Sequence, residues 1–171
     1  MPLESSFDGE KQDSYILAID PGTTYSGFVL INTETLEPVE FGKIQNDELE
    51  ETVSSTEAGT VVIERIASYG MPVGRSVFET CEEIGRLSHI AETQGKEVQY
   101  VYRKEEKKTI CGTYKANDTT IRRALIQRFA KHDFERGKGT KGHKDWFYGF
   151  KSDVWQAYAV GITYLDRENS G

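Results

Sequence analysis

The stretch YILAIDPGTTYSGFVLIN, residues 15–32, constrains the fold more than any other part of the chain. An apolar, β-prone run ends at Asp20, the turn PGTT follows, and a second apolar run extends from Gly27 to Asn32. This pattern is typical of a β-hairpin. Asp20 then has three possible roles: capping the turn, binding a metal ion, or preceding a backbone turn that holds a nucleotide phosphate.

The remaining hydrophobic pattern predicts an α/β domain. Further strands are predicted at residues 37–44, 60–64 and 98–102, the second of them buried on both sides. Helices are predicted at residues 47–52, 75–93, 117–130 and 152–165; Asn117 or Asp118, and Ser152 or Asp153, are candidate N-caps. Three strands in succession, followed by strands that alternate with helices, indicate a mixed five-stranded sheet with helices on both faces.

Length and composition favour a single domain. With 171 residues, 37% hydrophobic and 29% charged, we expect a polar lead at 1–14, one domain at 15–166 and a short tail at 167–171. The chain has no apolar run of membrane-spanning length and no secretory signal pattern. Cys81 and Cys111 lack a C-x-x-C partner, so we expect two reduced, mostly buried thiols and a cytoplasmic location, with no membrane partner.

The phosphate interpretation of the PGTT turn is the weaker one. The segment IDPGTTYSG is close to the first motif of the Hsp70, actin and sugar-kinase superfamily, whose members bind ATP between two such domains. Only 139 residues follow Asn32, and the motif G-x-x-x-x-G-K-[ST] is absent from the sequence. We therefore expect no nucleotide cofactor.

The metal interpretation gains support from a second acid. Glu64 ends the run TVVIE just as Asp20 ends YILAID, so neighbouring strands would present both carboxylates at one edge of the sheet. Two anions held together repel one another, and a hard divalent cation with oxygen ligands offsets that repulsion. Asp153 opens the last predicted helix and shares a face with Gln156, and a plain N-cap is the alternative role for Asp153.

The ordered motifs resemble a known family. The segments ILAIDPGTTYSGFVLI, VVIERIASYG and KSDVWQAYAVGITY resemble the RuvC-type Holliday junction resolvases of the RNase H-like superfamily. CGTYKANDTTIRRAL followed by GKGTKGHKDWFYGFKSDVWQAYAVG is similar to the shorter resolvase-like nucleases of bacteriophages. Over residues 15–166 the resemblance implies an RNase H-like fold, a homodimer, and nicking of four-way junctions and other branched DNA with Mg²⁺, or Mn²⁺, as cofactor.

The same resemblance assigns catalytic residues. Asp20, Glu64 and Asp153 match acids that bind the metal, whereas the second acid of the last helix falls on Gln156. A neutral amide offers one oxygen ligand but cannot act as a base. Three interpretations stay open: three carboxylates suffice, Asp145 or His143 substitutes for the missing acid, or metal affinity and rate are reduced.

Basic residues are concentrated in one part of the chain. The net charge is −7, yet residues 103–151 contain 14 Lys and Arg against 6 Asp and Glu. Such segregation favours phosphate binding, although a solvated helix and loop explain it equally well. The candidate DNA-binding residues are Tyr69, Arg75, Lys104, Lys107, Lys108, Lys115, Lys138, Lys141 and Lys144, with Arg103, Arg122 and Arg123 as further cations.

Two further roles are hypotheses from sequence. Tyr69 follows Glu64 in a loop with two glycines and a proline, and we expect it either to stack on an unpaired base or to fold back on the core. The helix at 75–93 is the expected dimer element, with Phe78 available to a partner. The alternative functions are a flap or fork nuclease, and a junction-binding protein with weak or no catalysis because of Gln156.

Overall fold

A mixed five-stranded sheet forms the centre of the computed structural model, which describes residues 14–170. Its strands are β1 (Tyr15–Asp20), β2 (Tyr25–Asn32), β3 (Pro38–Gln45), β4 (Thr60–Arg65) and β5 (Glu97–Tyr102), in the order β3-β2-β1-β4-β5. The first three pair antiparallel as a meander, whereas β1 with β4 and β4 with β5 pair in parallel. The predicted N-terminal lead lies outside the described residues except for Ser14.

Helices cover both faces of this sheet. They are α1 (Asn46–Ser55), α2 (Arg75–Thr93), α3 (Arg103–Cys111), α4 (Asp118–Phe129) and α5 (Asp153–Asn169). On one face, α1 and α2 enclose a core with Leu17, Ile19 and Ile63. On the other, α5 packs on β1 and β2, and α3 and α4 pack against α5. The predicted fold class is therefore confirmed, and none of the helices in residues 14–170 is long and apolar enough to cross a bilayer.

The last helix comes unusually near the sheet. A Cβ at Gly161 would collide with the Ile31 side chain and lie 3.0 Å from the Ala18 Cβ. Only glycine permits this approach, because interiors are already close-packed. Phe147 and Phe150 are fully buried and Trp155 is 5% exposed, so the aromatic residues around the start of α5 form core rather than a surface platform.

Several local predictions differ from the structure. The segment after β5 forms α3, which was not among the predicted helices. The lysine-rich segment at 136–144 contains a short hairpin of β6 (Gly139–Thr140) and β7 (His143–Lys144). Asn117 caps α4 through a capping box with Thr120, as expected. The prediction that Ser152 or Asp153 caps α5 was wrong, because no side chain within residues 14–170 caps this helix. Cys81 is exposed and Cys111 half-buried, so the expected burial of the thiols was also wrong.

Candidate active site

The carboxyl ends of β1 and β4 bring two acids to one sheet edge. In the parallel register Ile19 lies opposite Ile63, and Asp20 and Glu64 each follow one residue later. Both side chains line a cavity of about 280 Å³ that Asp153 and Gln156 also line. The structure thus brings together all four of the residues that the sequence predicts at the catalytic centre.

A glycine in β2 lets the third acid approach. Gly27 lies opposite Asp20 in the β1–β2 pair. A Cβ built at Gly27 would stand only 2.5 Å from the Asp153 carbonyl oxygen and 2.9 Å from the Asp153 Cβ. Because glycine lacks that atom, the first turn of α5 sits directly against β2, and Asp153 comes next to Asp20. Ser152, just before the helix, has a φ of 45°, a strained conformation for a residue with a side chain.

The turn after Asp20 is closed by the protein itself. Gly22 N–H donates to Ser26 Oγ at 3.1 Å, and the Asn46 amide donates to the Gly22 carbonyl at 3.0 Å. Ser26 Oγ in turn donates to Asn46 Oδ1 at 2.7 Å. The Gly22 N–H is therefore satisfied within the turn itself.

One more acidic residue lies behind the cavity. Glu106, in the first turn of α3, is fully buried, and it was not among the site residues predicted from the sequence. Gln156 Nε2 donates to Glu64 Oε2 at 2.8 Å and also to Glu106 Oε1. The other Glu106 oxygen, Oε2, has no hydrogen-bond partner among the described residues.

Two cations accompany these acids. Lys43 Nζ lies 2.8 Å from Asp153 Oδ2, and both side chains are partly exposed. Arg103 lines the cavity, forms an ion pair with Asp118, and favours the ionised forms of Asp20 and Glu64. The protein thus partly neutralises its own acidic cluster.

That neutralisation is incomplete. Burial raises the pKa of Asp20 to about 8, with additional increases from the Glu64 and Asp153 charges beside it. Burial also raises the pKa of Glu64, against the lowering effect of the Gln156 hydrogen bond and Arg103. The pKa of Glu106 rises to about 10, through burial first and the Glu64 charge second. The free cluster therefore holds protons that another cation would displace.

The site residues offer the oxygen donors that a hard divalent cation prefers. Carboxylate oxygens of Asp20, Glu64 and Asp153, with the amide oxygen of Gln156, are ligands that Mg²⁺ and Mn²⁺ accept. Within residues 14–170 no three acidic, histidine or cysteine side chains already stand at metal-binding distances. A bound ion would require Asp153 to exchange Lys43 for the metal, which an exposed ion pair allows at little cost.

Two solved structures resemble the whole described fold. A "Thermus thermophilus RuvC structure" matches with a TM-score of 0.69 and 15% identity, and "T. thermophilus RuvC in complex with Holliday junction substrate" matches with a TM-score of 0.67 and 13% identity. Each alignment covers 92% of this chain and 96% of the other. The chain has the RNase H-like fold of RuvC. The sequence matches no protein-family model and no curated protein.

The RuvC-like sheet edge continues into a cationic, aromatic surface. Lys104 Nζ lies 5.6 Å from the ring centroid of Tyr69 and 5.0 Å from that of Tyr114. These side chains line two adjoining cavities of about 430 and 320 Å³, and Arg103 lines both the smaller one and the acidic cavity. Tyr69 is 61% exposed with a φ of 48°, so the alternative in which its ring folds into the core was wrong.

The other predicted DNA-binding residues lie at several places. Lys107 and Lys108 are on α3, and Lys107 lines the smaller of the two cavities. Lys115 lines a separate groove between α3 and α4. Lys138, Lys141 and Lys144 lie in and beside the β6–β7 hairpin. Arg75 extends into solvent at the start of α2 and pairs with Glu79 at 2.8 Å.

Neither proposed substitute for the missing acid belongs to the site. Asp145 accepts hydrogen bonds from the backbone N–H groups of Lys131, His132, Asp133 and Trp146. Burial tends to raise the pKa of Asp145, but these four donors outweigh it and hold that pKa well below its usual range. The His143 ring stacks on His132 at 3.7 Å. Among the described residues, neither Asp145 nor His143 lines the acidic cavity. Both stabilise the hairpin segment through the contacts given above.

A sequence signal for Glu106 exists, though it is indirect. RKEEKK is a run of good helix formers placed directly after a strand, which indicates a helix start. Glu106 and Ile110 then share a helical face with Arg103. The sequence prediction for this run concerns only its cations Arg103, Lys104, Lys107 and Lys108, as candidate contacts to DNA.

Proposed function

We propose that this protein is a metal-dependent, structure-selective endodeoxyribonuclease that nicks four-way junctions and related branched DNA. The observation that carries the proposal is the convergence of Asp20, Glu64 and Asp153 in one cavity at the sheet edge of a RuvC-like fold. One of the two neighbouring RuvC structures is a complex with a Holliday junction substrate, which supports branched DNA as the substrate class.

The acids and the amide would hold Mg²⁺ or Mn²⁺. When bound there, a divalent ion would supply activation of a water molecule and stabilisation of the leaving oxygen of a phosphodiester. Asp20, Glu64 and Asp153 supply the negative charge, and the Gln156 oxygen supplies a neutral ligand. Lys43 and Arg103 flank the acids, and we assign them to the DNA phosphates once the acids hold metal.

The neighbouring surface would hold the branch point. Tyr69 and Tyr114 present ring faces on either side of Lys104, next to the acidic cavity. Exposed aromatic rings bind unpaired bases by stacking, and lysines contribute salt-dependent affinity for phosphates. We assign Tyr69 to an unpaired base at the branch, and Lys104, Lys107 and Lys108 to the adjacent backbone. The hairpin lysines and Lys115 would contact DNA arms farther from the cut.

Cleavage of a synthetic four-way junction tests the proposal. Wild type, Asp20→Asn, Glu64→Gln and Gln156→Asp are compared with Mg²⁺, Mn²⁺ or EDTA, and a linear duplex, a fork and a flap serve as alternative substrates. We expect paired nicks on the junction that both carboxylate variants reduce at least a hundredfold. A preference for forks or flaps over the junction would move the proposal to those substrates.

Gln156 favours a second candidate, a junction-binding protein without catalysis. An amide holds a dication less tightly than a carboxylate does. If the wild type retards the junction in a gel, but neither it nor Gln156→Asp nicks any substrate with either metal, the binding function replaces the nuclease.

A further inference from the structure

Glu106 is a buried acid with no direct ion pair among the described residues, although the more distant Arg103 charge favours its ionised form. Its side chain is fully buried, and no Lys, Arg or His in residues 14–170 forms an ion pair with it. A buried carboxyl group is costly unless its oxygens are satisfied, yet Oε2 has no partner. Unsatisfied buried groups in native proteins tend to mark functional positions, and Glu106 adjoins Glu64 and Gln156.

The orientation of the Gln156 amide depends on this acid. Both hydrogens of Nε2 are used, one toward Glu64 Oε2 and one toward Glu106 Oε1. Because two carboxyl groups flank it, the amide turns its nitrogen toward them and leaves Oε1 for the cavity that Gln156 lines. A carboxylate at position 156 would have no hydrogen to offer and would add a third repelling charge at this point.

The position of Glu106 in the chain is also specific. Arg103, which lines the cavity, begins α3 directly after β5, and Glu106 stands one turn later on the side that packs against α5. The same short helix therefore contributes a cation to the mouth of the cavity and an acid to its back wall. An apolar residue at position 106 would suffice if the only task were to pack α3 on α5.

We propose that Glu106 is the positioning residue of the metal site: its carboxyl group, one layer behind the cavity, fixes the Gln156 amide and, through that amide, the Glu64 carboxylate. The inference rests on the proposed metal-dependent function. Acids in the layer behind metal ligands typically change metal affinity ten- to a hundredfold when removed. Glu106 requires no contact with substrate for this role.

Metal affinity without DNA is the decisive measurement. Mn²⁺ is titrated calorimetrically into wild type, Glu106→Gln and Glu83→Gln. Glu83 is a matched control, because it too is a buried helical glutamate with one unpartnered oxygen, but it packs in the α2 layer on the opposite face of the sheet. We expect Glu106→Gln to weaken Mn²⁺ binding about tenfold or more, and Glu83→Gln to leave it within twofold of wild type.

Exchanging the carboxyl group at position 106 with the amide at position 156 distinguishes a positioning role of Glu106 from a packing role. Gln156→Glu alone would place three carboxyl groups together and remove the two amide donations to Glu64 and Glu106; we expect this loss of order to outweigh the stronger ligand and to weaken Mn²⁺ binding. The double variant Glu106→Gln with Gln156→Glu restores one amide and two acids. We expect the double variant to bind Mn²⁺ at least threefold more tightly than Gln156→Glu does. Circular dichroism and thermal melting in EDTA identify any variant that fails to fold. If Glu106→Gln fails to fold, the comparison of Gln156→Glu with the double variant decides the role of Glu106. If one of those two proteins fails to fold, the comparison of Glu106→Gln with wild type decides it.

The outcomes separate this inference from the proposed function. If Glu106→Gln binds Mn²⁺ as tightly as wild type, Glu106 is a packing residue and the inference is overturned, even if junctions are cut. A wild type that binds no Mn²⁺ overturns it as well. If wild type binds Mn²⁺ but cuts no branched DNA, the nuclease proposal fails, while the affinity comparison still decides the role of Glu106.

Discussion

Asp20 illustrates how the site opposes its own ionisation. Burial and the neighbouring charges of Glu64 and Asp153 raise its pKa to about 8 from an ordinary value of 3.8. Between these two values the folded protein binds a proton that the unfolded chain releases. The metal-free fold therefore loses stability as pH rises through this window, the reverse of the behaviour of a salt-bridged aspartate.

Replacing Asp20 with asparagine should reveal this effect. In EDTA at pH 8 we expect Asp20→Asn to melt a few degrees higher than wild type, because the variant avoids the free-energy cost of an ionised carboxylate at this buried position. We expect the difference in melting temperature to shrink toward pH 4. Thermal melts from pH 4 to 8 measure it. Glu51→Gln, on the exposed face of α1, is the control for the loss of one surface carboxyl group. A difference for Asp20→Asn that is constant with pH would refute the assignment.

At the scale of elements, the site depends on how closely α5 meets β2. We expect Gly27→Ala to destabilise the fold by about 1–3 kcal/mol, because its Cβ would overlap the Asp153 backbone, and to reduce Mn²⁺ affinity by moving Asp153. Urea unfolding and Mn²⁺ titration measure both effects.

The neighbouring strand supplies a matched control for this substitution. A Cβ at Gly42, in β3 opposite Phe28, would meet the Phe28 ring at 3.5 Å, an ordinary contact distance. We expect Gly42→Ala to retain Mn²⁺ affinity and to change the free energy of unfolding by less than about 1 kcal/mol, the usual range for tolerated changes of this size. Equal effects of the two substitutions would show that the approach of α5 does not depend on Gly27.

The elements differ in how far sequence predicts them. Strands β1 and β4 were predicted to within one residue, because their apolar runs end abruptly at Asp20 and Glu64, and these ends define half of the candidate site. The helix α3 was missed because its only fully buried side chain is Glu106, so it has no apolar stripe. The relation of Glu106 to Gln156, 50 positions apart, arises only when α3 packs on α5.

The β6–β7 hairpin shows a second limit of sequence interpretation. Its segment is rich in glycine and lysine, which is typical of an open loop. The fold instead anchors it through Asp145, whose two oxygens accept four backbone N–H groups from both sides of the hairpin. That arrangement joins residues 12 to 14 positions apart, and composition alone carries no sign of it.

At the scale of the whole molecule, three exposed apolar side chains lie close together in the chain. Met71, Val73 and Phe78, in the loop after β4 and the first turn of α2, are 72%, 39% and 59% exposed. A surface with several exposed apolar side chains favours an interface. We assign this surface to a two-fold dimer, which would bring two acidic cavities to the two strands of a junction and allow paired nicks.

Sedimentation of wild type, Phe78→Glu and Val39→Glu tests the dimer. We expect wild type to sediment at twice the chain mass of 19.3 kDa and Phe78→Glu to sediment as a monomer, because a buried unpaired carboxylate is costly in an interface. Val39, 54% exposed on the edge strand β3, is an equally exposed apolar control that should leave the dimer intact. The Phe78→Glu monomer should nick a junction on one strand only, since its second cavity is absent. A Phe78→Glu protein that remains dimeric would place the interface elsewhere, and a wild type that is monomeric at micromolar concentration would refute the dimer itself.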